Sequence, residues 1–390
     1  MILFFLIGIF VVSTVWEFYY KHHWAQHVTV KLWFGTDAVY AGQETKLYEV
    51  IENRKRMPVP VLEVGFHTKK ELDFAGTDNT NVSDYIYKRD IFSVLGRQKI
   101  TREIPVRCTK RGRYTVSDAD ITSFSLLYNK RYSEGIGTCA NIFVYPKMTD
   151  VSDIMTVCEH MVGTIQCTKR LYEDPFAFRS IRSYTTNDPM KAINWKASAK
   201  TGALMVNTFD SVQSQKAFVF LDVEDSGILK SVDLVEESIS ISASIVRKLL
   251  RQSIEAGFAY NGNSSMEDAT KRLKVMLPSS KKSNLLWLEQ GLAQYNATDD
   301  AKDFGVLLDE LYHDVFSENP LSSDTLLICI TKNLNGQLFE KIQNYMGAYQ
   351  TLIVVPVYRG EQTDKKKSFE KDNVTSKDNI HVLVKGVDRT

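Results

Sequence analysis

The stretch KAFVFLDVEDS, residues 216–226, decides the fold of the C-terminal half of the chain. Its apolar run 217–221 has no polar alternation, which is typical of a strand buried on both faces of a sheet. Two similar runs follow, TLLICIT at 325–331 and TLIVVPV at 351–357. Helical patterns alternate with these runs, so the sequence predicts a largely parallel, doubly wound α/β domain over residues 216–388. Such domains bind ligands at the carboxyl ends of their strands.

The segments between these runs carry the helical patterns. The first helix is expected within residues 231–256, where one face collects Val232, Val235, Ile239, Val246 and Leu250. Further patterns are SNLLWLEQGLAQY at 283–295, FGVLLDELYHDVF at 304–316 and FEKIQNYMGAY at 339–349. The charged segment 364–378, which contains three consecutive lysines, predicts a mobile loop before the last strand, IHVLV at 380–384.

Upstream, residues 27–146 show short runs of alternating polarity separated by turn residues. The runs are VTVKLWF, TKLYEVIEN, VPVLEVGFH, QKITREIPVRC, GRYTVSD and ANIFVYP. This spacing indicates antiparallel strands. Six or seven of them in about 120 residues predict a β-sandwich of immunoglobulin or fibronectin type.

The N-terminal run, residues 1–20, predicts a transmembrane helix. Residues 1–15 are apolar apart from Ser13 and Thr14, and aromatic residues extend the run to Tyr20 with Glu17 as its only charge. A spanning helix needs about 20 residues, and Trp and Tyr belong at the headgroup level. The alternative is a cleaved signal peptide, but the run has no basic residue before it and no small-x-small cleavage site after it.

The positive charges that flank this run predict its orientation. Lys21 and Lys31 lie on its C-terminal side, with three histidines between them. By the positive-inside rule, a single-pass protein of the cell membrane with its body in the cytoplasm is expected. Five cysteines without regular spacing do not make a disulfide framework in 390 residues, which agrees with a reducing compartment.

The overall charge argues against a nucleic-acid partner. The formal net charge is +1, with 24% charged and 44% hydrophobic residues, as expected for a well-packed chain of two or three domains. One local basic run is interpreted as the solvated face of a β-hairpin; it comprises Lys99, Arg102, Arg107, Lys110, Arg111 and Arg113.

Residues 147–215 predict an irregular connector that packs on its neighbours, and they contain the segment RSIRSYTTNDPMKAINWKASAKTGALMVNTF at 179–209. Asp188 and Pro189 fit the N-cap and first position of a short helix over residues 190–199, which Gly202 would end. Two interpretations are open for the prominent side chains of the segment. They form either a contact surface for a partner or a buried interlock between domains. The side chains are Arg182, Tyr184, Asp188, Trp195 and Lys196.

The same segment resembles the signature of the bacterial family known as domain of unknown function 58. The residues that carry the resemblance are Arg182, Tyr184, Asp188, Ile193, Trp195, Lys196, Ala199 and Gly202. The resemblance implies a membrane-anchored protein with a von Willebrand factor A-like domain, a MoxR-type AAA+ ATPase as partner, and a non-enzymatic role. The chain departs from the family at residues 122–127, where TSFSLL replaces the usual Asp-Pro-x-Gly-x-Phe segment.

A von Willebrand factor A-like domain holds Mg²⁺ with a DxSxS loop after its first strand and with hard oxygen ligands from later loops. Here Asp222 and Ser226 match, while Glu224 stands where serine is expected. Thr331 and Lys332 follow the later strand, and a lysine repels a cation. The sequence therefore predicts no functional metal site, and Asp222, Glu224 and Ser226 are only a degenerate candidate. The acidic residues would then cap the following helix.

Other catalytic patterns are weak. Cys158, His160 and Cys167 lack a fourth zinc ligand at normal spacing, so free thiols are favoured. No phosphate-binding Gly-rich loop and no nucleophile motif occur, which argues against a nucleotide hydrolase or any other hydrolase. We therefore expect a membrane-anchored, non-enzymatic interaction or scaffold protein without a cofactor, which assists assembly or maturation of other proteins. The alternative is a magnesium-dependent ligand-binding module.

Overall fold

The computed structural model describes residues 2–74, 85–125, 130–169, 178–186, 188, 190–209, 215–225, 230–262, 275–296, 301–371 and 379–388. The chain divides into two compact units. The first comprises Met1–Met148 and Glu289–Asn296, and the second comprises Thr149–Leu288 and Ala297–Thr390.

The first unit begins with one helix and continues as strands. The elements are α1 (Ile2–His23), β1 (Val28–Phe34), β2 (Ala38–Tyr40), β3 (Glu44–Asn53), β4 (Val59–Lys69), β5 (Leu72–Phe74), β6 (Tyr85–Val94), β7 (Lys99–Cys108), β8 (Gly112–Phe124), β9 (Arg131–Ile136) and β10 (Ala140–Tyr145). One sheet has the order β1-β3-β7-β5, and the other has the order β2-β10-β8-β4-β6, with β9 paired to β8.

The two sheets share one apolar core, because alternate side chains of each strand point inward. Leu47 of β3 and Val106 of β7 pack in one cluster with Phe66 of β4 and Val116 of β8. The predicted β-sandwich is therefore confirmed. The predicted basic hairpin is wrong, because β7 pairs with β3 and β5 whereas β8 pairs with β4, β9 and β10. Lys99, Arg102 and Arg107 thus lie on β7 in one sheet and Arg113 on β8 in the other, while Lys110 and Arg111 lie in the connection between them.

The C-terminal end of α1 belongs to the sandwich core. Tyr20 and Trp24 are each only 4% exposed and pack with Val28, Val64 and other core residues. The Tyr20 hydroxyl lies 2.7 Å from the Ser123 hydroxyl oxygen on β8. The expectation that Tyr20 lies at the lipid headgroups is therefore wrong.

The second unit alternates helices and strands, and one of its helices ends in residues that belong to the first unit, from Glu289 on. Its elements are α2 (Ser152–Lys169), β11 (Phe178–Ser183), a 3-10 turn (Met190–Ala192), α3 (Trp195–Thr201), β12 (Met205–Phe209), β13 (Lys216–Leu221), α4 (Val232–Arg251), β14 (Glu255–Tyr260), β15 (Val275–Ser279), α5 (Lys282–Gln294), α6 (Phe304–Glu310) with a π turn (Leu311–Val315), β16 (Thr325–Ile330), α7 (Gly336–Met346), β17 (Thr351–Tyr358), a 3-10 turn (Arg359–Glu361), α8 (Gln362–Lys371) and β18 (Ile380–Val387).

Six of these strands form one sheet in the order β15-β14-β13-β16-β17-β18. All neighbours are parallel except the β14–β15 pair. One face carries Phe218, Leu327 and Ile353, which pack with α6 and α7. On the other side α4 contacts β13, β14 and β17. Helices on both faces explain the uninterrupted apolar strands, and the prediction of a doubly wound α/β sheet is confirmed.

Two segments differ from their sequence predictions. Residues 152–169, expected to be irregular, form α2, and Gln252 at the end of α4 donates a 2.8 Å hydrogen bond to Glu159 of α2. Residues 364–371 of the expected mobile loop 364–378 belong to α8, where Phe369 is 5% exposed, and residues 372–378 lie outside the described part of the chain. In both segments a few apolar residues at helical spacing pack on the sheet or its helices. Their burial outweighs the polar composition of the segment.

A group of charged side chains is buried inside the sandwich. Glu49 on β3 is only 1% exposed, and its two carboxylate oxygens accept no hydrogen bond from the described residues. The charges around it are Lys88 and Asp90 of β6 and Arg102 of β7, with Arg102 donating to Asp90 at 2.8 Å. Burial, reinforced by the Asp90 carboxylate, raises the pKa of Glu49 to about 7.

Stability of the sandwich should therefore depend on pH through Glu49. The folded chain holds this proton up to about pH 7, whereas an unfolded glutamate has a pKa near 4.5. The contribution of Glu49 to the free energy of unfolding is therefore fully present below about pH 4.5. It is lost as the pH rises through about 7, and the total loss is up to about 3 kcal/mol. In Glu49→Gln, which carries no titrating group, this part of the pH dependence should disappear. Urea unfolding between pH 5 and pH 8 measures it.

Glu103→Gln is the matched control, because Glu103 is a half-exposed glutamate on β7 whose ion pair with Lys46 is screened by solvent. It should retain the slope of the wild type between pH 5 and pH 8. Equal slopes in the wild type and Glu49→Gln would contradict the assignment.

Candidate functional site

The first candidate site lies at the carboxyl ends of three neighbouring strands. Asp222 follows β13, Asn261 follows β14 and Thr331 follows β16. The strand order reverses between β13 and β16, and clefts for ligands form at such a point in open α/β sheets. The sequence analysis singled out Asp222 as the first residue of a degenerate DxSxS loop after the first strand, as the family resemblance implies.

The Asp222 carboxylate is 1% exposed and accepts four hydrogen bonds. The side chain of Asn261 and the backbone N–H of Glu224 donate to one oxygen at 2.8 and 3.0 Å. The hydroxyl of Thr331 and the amide of Asn333 donate to the other at 2.6 and 3.1 Å. Burial raises the pKa of the Asp222 carboxyl, and these hydrogen bonds oppose that rise. We call this arrangement the Asp222 lock.

An internal cation lies beside the lock. The Lys332 ammonium pairs with Asp225, and both side chains are nearly buried, at 8% and 7% exposure. The other Asp225 oxygen accepts a 2.7 Å hydrogen bond from the backbone N–H of Ser231, just before α4. Burial, followed by the Asp222 carboxylate, raises the pKa of Glu224. Asp225 thus accepts a hydrogen bond from the residue that precedes α4. This contact resembles the helix-capping role that the sequence predicted for the acidic residues.

This geometry fits a metal-free lock better than a magnesium site. Both Asp222 oxygens already accept two neutral donors each, and Lys332 supplies the positive charge. Among the described residues, no group of three His, Cys, Asp or Glu side chains converges as metal ligands would. Ser226, the third member of the degenerate candidate, lies outside the described residues.

The second candidate site is a small module formed by β11, the 3-10 turn, α3 and β12. β11 and β12 pair in antiparallel fashion, with Arg182 opposite Val206. The side chain of Asn194 caps α3 by accepting from Ala197 N–H at 2.9 Å, and Gly202 ends the helix with φ 73°. Gly202 at the end is as predicted. The predicted cap is wrong, because Asn194 rather than Asp188 performs it, and Pro189 lies outside the described residues.

Asp188 binds Arg182 instead. The guanidinium donates to both carboxylate oxygens, at 2.7 and 2.6 Å, and Thr185 adds its backbone N–H and its hydroxyl at 2.8 Å each. These hydrogen bonds, led by that of Arg182, hold the pKa of Asp188 well below its usual range. A bidentate pair of this kind fixes the connection between β11 and the 3-10 turn.

The apolar side chains of the module are exposed. Trp195 is 65% exposed, Met190 71% and Leu204 47%. Lys196 is exposed beside Trp195, and Tyr184 is half-buried with its N–H donated to the Leu204 carbonyl. The interpretation of Trp195 as part of a buried interlock is therefore wrong. We call this module, residues 178–209, the tryptophan module.

Sequence reasoning missed three residues of this module. The role of Asn194 could have been predicted, since Asn is a favoured N-cap residue. The exposure of Met190 and Leu204 could not, because exposure of a single apolar residue depends on tertiary packing.

The zinc candidates do not converge. Cys158 is buried in α2 and His160, two residues later, is exposed, so the helix directs them to different sides. Burial raises the pKa of the Cys158 thiol to about 12, which keeps it protonated. The Cys167 side chain lies outside the described residues.

No protein-family model matches the chain. It is 30% identical over 102 residues to the uncharacterized protein YeaD of Bacillus subtilis strain 168, and the match covers 25% of this chain and 24% of that protein. The matched part is thus about a quarter of the length of this relative.

Solved structures match about 30% of the chain. One is the third cohesin of ScaC from Acetivibrio cellulolyticus in complex with the ScaB dockerin, at 9% identity, TM-score 0.24, 30% of this chain and 99% of that one. Another is the CARDB domain of the PF1109 protein of Pyrococcus furiosus, at 16% identity, TM-score 0.19, 30% of this chain and 93% of that one. At such scores no ligand or partner can be transferred to this chain.

Melting experiments with Mg²⁺ test the Asp222 lock. The wild-type melting temperature should be the same with Mg²⁺ and with chelator, because donors and the Lys332 cation already satisfy the carboxylates. A bound ion would add about 2.7 kcal/mol at a hundredfold excess over its Kd. Asp222→Ala should cost about 3 kcal/mol or more, since it leaves buried donors unpaired, and it should remain insensitive to Mg²⁺.

Glu318→Ala serves as the control, because this acidic residue is exposed and its loss should change stability by less than about 0.5 kcal/mol. A Mg²⁺-dependent rise in the wild type that Asp222→Ala abolishes would show that the site binds the ion.

Proposed function

We propose that the chain is a membrane-anchored interaction protein without catalytic activity of its own, and that the tryptophan module is its partner-binding surface. The observation that carries the proposal is the 65% exposure of Trp195 on a module with a capped helix and a bidentate ion pair. An exposed tryptophan on a rigid support is the kind of residue that dominates binding energy at protein interfaces.

The residues of the module divide into a support and a contact surface. Asp188 is 11% exposed and pairs with Arg182. This ion pair fixes the connection between β11 and the 3-10 turn with little loss of side-chain entropy. Trp195, Met190 and Leu204 provide apolar area, and Lys196 provides a charge beside it. Because the support is formed within the chain, the side chains are preorganised before the partner arrives, and less entropy is lost on binding.

The resemblance to the family known as domain of unknown function 58 supports a particular partner and setting. It suggests that the α/β sheet is a von Willebrand factor A-like domain and that the partner is a MoxR-type AAA+ ATPase. The strand order of the sheet, with only its β15 edge antiparallel, agrees with the open, doubly wound α/β topology that this resemblance implies. Assembly or maturation of other proteins is the process proposed.

The N-terminal helix supports the membrane setting. Residues Phe4–His23 form a helix long and apolar enough to cross a bilayer, by length and composition. A signal sequence satisfies the same test, so the anchor and the cytoplasmic side of the body remain parts of the proposal. The alternative function, a magnesium-dependent ligand-binding module, is opposed by the saturated Asp222 carboxylate.

Truncation of Trp195 tests the contact surface. Trp195→Ala should change the free energy of unfolding by less than about 1 kcal/mol, because the side chain is mostly exposed. Capture of a purified MoxR-type ATPase by the full chain should fall at least tenfold, as expected for a hot-spot residue. Urea unfolding and surface plasmon resonance of the same variant provide the two measurements.

Trp287→Ala is the matched control, since Trp287 on α5 is likewise exposed, at 47%, but lies outside the tryptophan module. It should bind the ATPase as the wild type does. Equal losses in both variants, or no loss in either, would exclude the module as the contact surface.

Two truncations test the anchor. Removal of residues 1–15 should release a folded protein into the soluble fraction, because Glu17 and Tyr20 keep their contacts with the sandwich. Removal of residues 1–20 should also release it but lower its stability by about 2–4 kcal/mol, since the buried Tyr20 ring is lost. Membrane fractionation and thermal melts measure the two effects. Retention of the shorter truncation in washed membranes would show that residues 1–15 are not the anchor.

A further inference from the structure

The end of α1 meets two incompatible requirements. The membrane-type helix extends over Phe4–His23. Tyr20, within this range, and Trp24, just beyond it, are each 4% exposed in the sandwich core. A residue cannot lie in the hydrocarbon of a bilayer and in the core of a β-sandwich at once. The part of α1 that is free to cross the membrane therefore ends before Tyr20.

Glu17 marks where the membrane-spanning part of α1 ends. It is the first charged residue of α1. A charged side chain is costly in the hydrocarbon of a bilayer and is favoured at the level of the headgroups. Tyr20 and Trp24, which follow it, are fixed in the core of the sandwich.

No flexible linker separates α1 from the sandwich. Glu17 accepts hydrogen bonds from Lys130, at 2.9 Å, and from Tyr132, at 3.3 Å, on either side of the start of β9. Lys55 donates to the His23 carbonyl at the end of the helix, at 2.8 Å. Lys130 must therefore lie at the same depth as Glu17, which is the level of the headgroups.

This end of the sandwich is rich in exposed cations. Lys130 is 60% exposed and Arg131 50%. The turns after β3 and after β6 meet at a hydrogen bond from Arg97 N–H to the Lys55 carbonyl, 2.9 Å long. The exposed cations of α1 and these turns are Lys21, Arg56 and Arg97. Clusters of this kind beside a membrane helix attract anionic lipids.

We propose that the α1 end of the sandwich is a membrane-docking surface, which sits directly on the bilayer that α1 crosses and binds its anionic phospholipid headgroups. The proposal rests on the anchor assigned under the proposed function. The proposed ligand of the surface around Lys130 is lipid, whereas the tryptophan module of the second unit is proposed to bind a protein partner.

Fluorescence quenching of the full chain in lipid nanodiscs tests the proposal. An environment-sensitive fluorescent amino acid replaces Lys130 in one variant and Thr115 in the other. Thr115 is exposed on β8, the strand that also pairs with β9, but about 30 Å along β8 from its α1 end. With spin-labelled headgroups and 30% phosphatidylglycerol, the probe at position 130 should be quenched at least twofold more than the probe at 115. In pure phosphatidylcholine the difference should shrink.

A charge variant supplies the second measurement. Lys21→Gln, Arg56→Gln and Arg97→Gln together should remove the dependence of quenching on phosphatidylglycerol. The control pair Arg107→Gln and Lys110→Gln, exposed cations at and just beyond the other end of β7, should retain it. Equal quenching at positions 130 and 115, or quenching that ignores lipid charge, would overturn the proposal. A chain that does not enter nanodiscs at all would overturn the anchor as well.

Discussion

The buried carboxylate of Asp222 is the constraint on which the α/β unit depends. It joins the ends of β13, β14 and β16 through donors from Asn261 and Thr331. Removing one donor leaves the buried Asp222 carboxylate with an unsatisfied oxygen. The loss of each hydrogen bond therefore lowers the stability of the unit. A chain that uses amide and hydroxyl donors here, with Lys332 as the nearby cation, needs no divalent ion to hold these strand ends together. The proposed partner surface, the tryptophan module, lies apart from this carboxylate in the sequence.

Much of the fold could be predicted from the sequence, because the two repeating patterns are strong. The alternating run VTVKLWF became β1, and the uninterrupted run AFVFL became most of β13. Strand β6 was missed because its buried side includes Lys88, 4% exposed, whose charge masks the alternation. Tyr20 was misplaced because an aromatic residue at the end of an apolar helix suits a lipid headgroup layer and a protein core equally well.

The candidate sites were predictable only in part, and for a physical reason. Asp222 follows a strand, so its position at the edge of the sheet is a local property. Its donors Asn261 and Asn333 come from loops that meet only after the sheet has formed, and no local pattern marks them. Asp188 and Asn194 are both good helix caps. Arg182, six residues before Asp188 and paired with it in three dimensions, decides which of the two performs the role.

The sequence separation inside the Asp222 lock has a consequence for how the chain folds. Asp222 and Thr331 are 109 residues apart. Loop closure over that distance is entropically expensive, and contacts of this kind form late. During synthesis Asp222 remains hydrated until β16 and the Thr331 that follows it have left the ribosome, whereas β11 and β12, joined by residues 184–204, pair before that. The tryptophan module therefore forms before the lock closes.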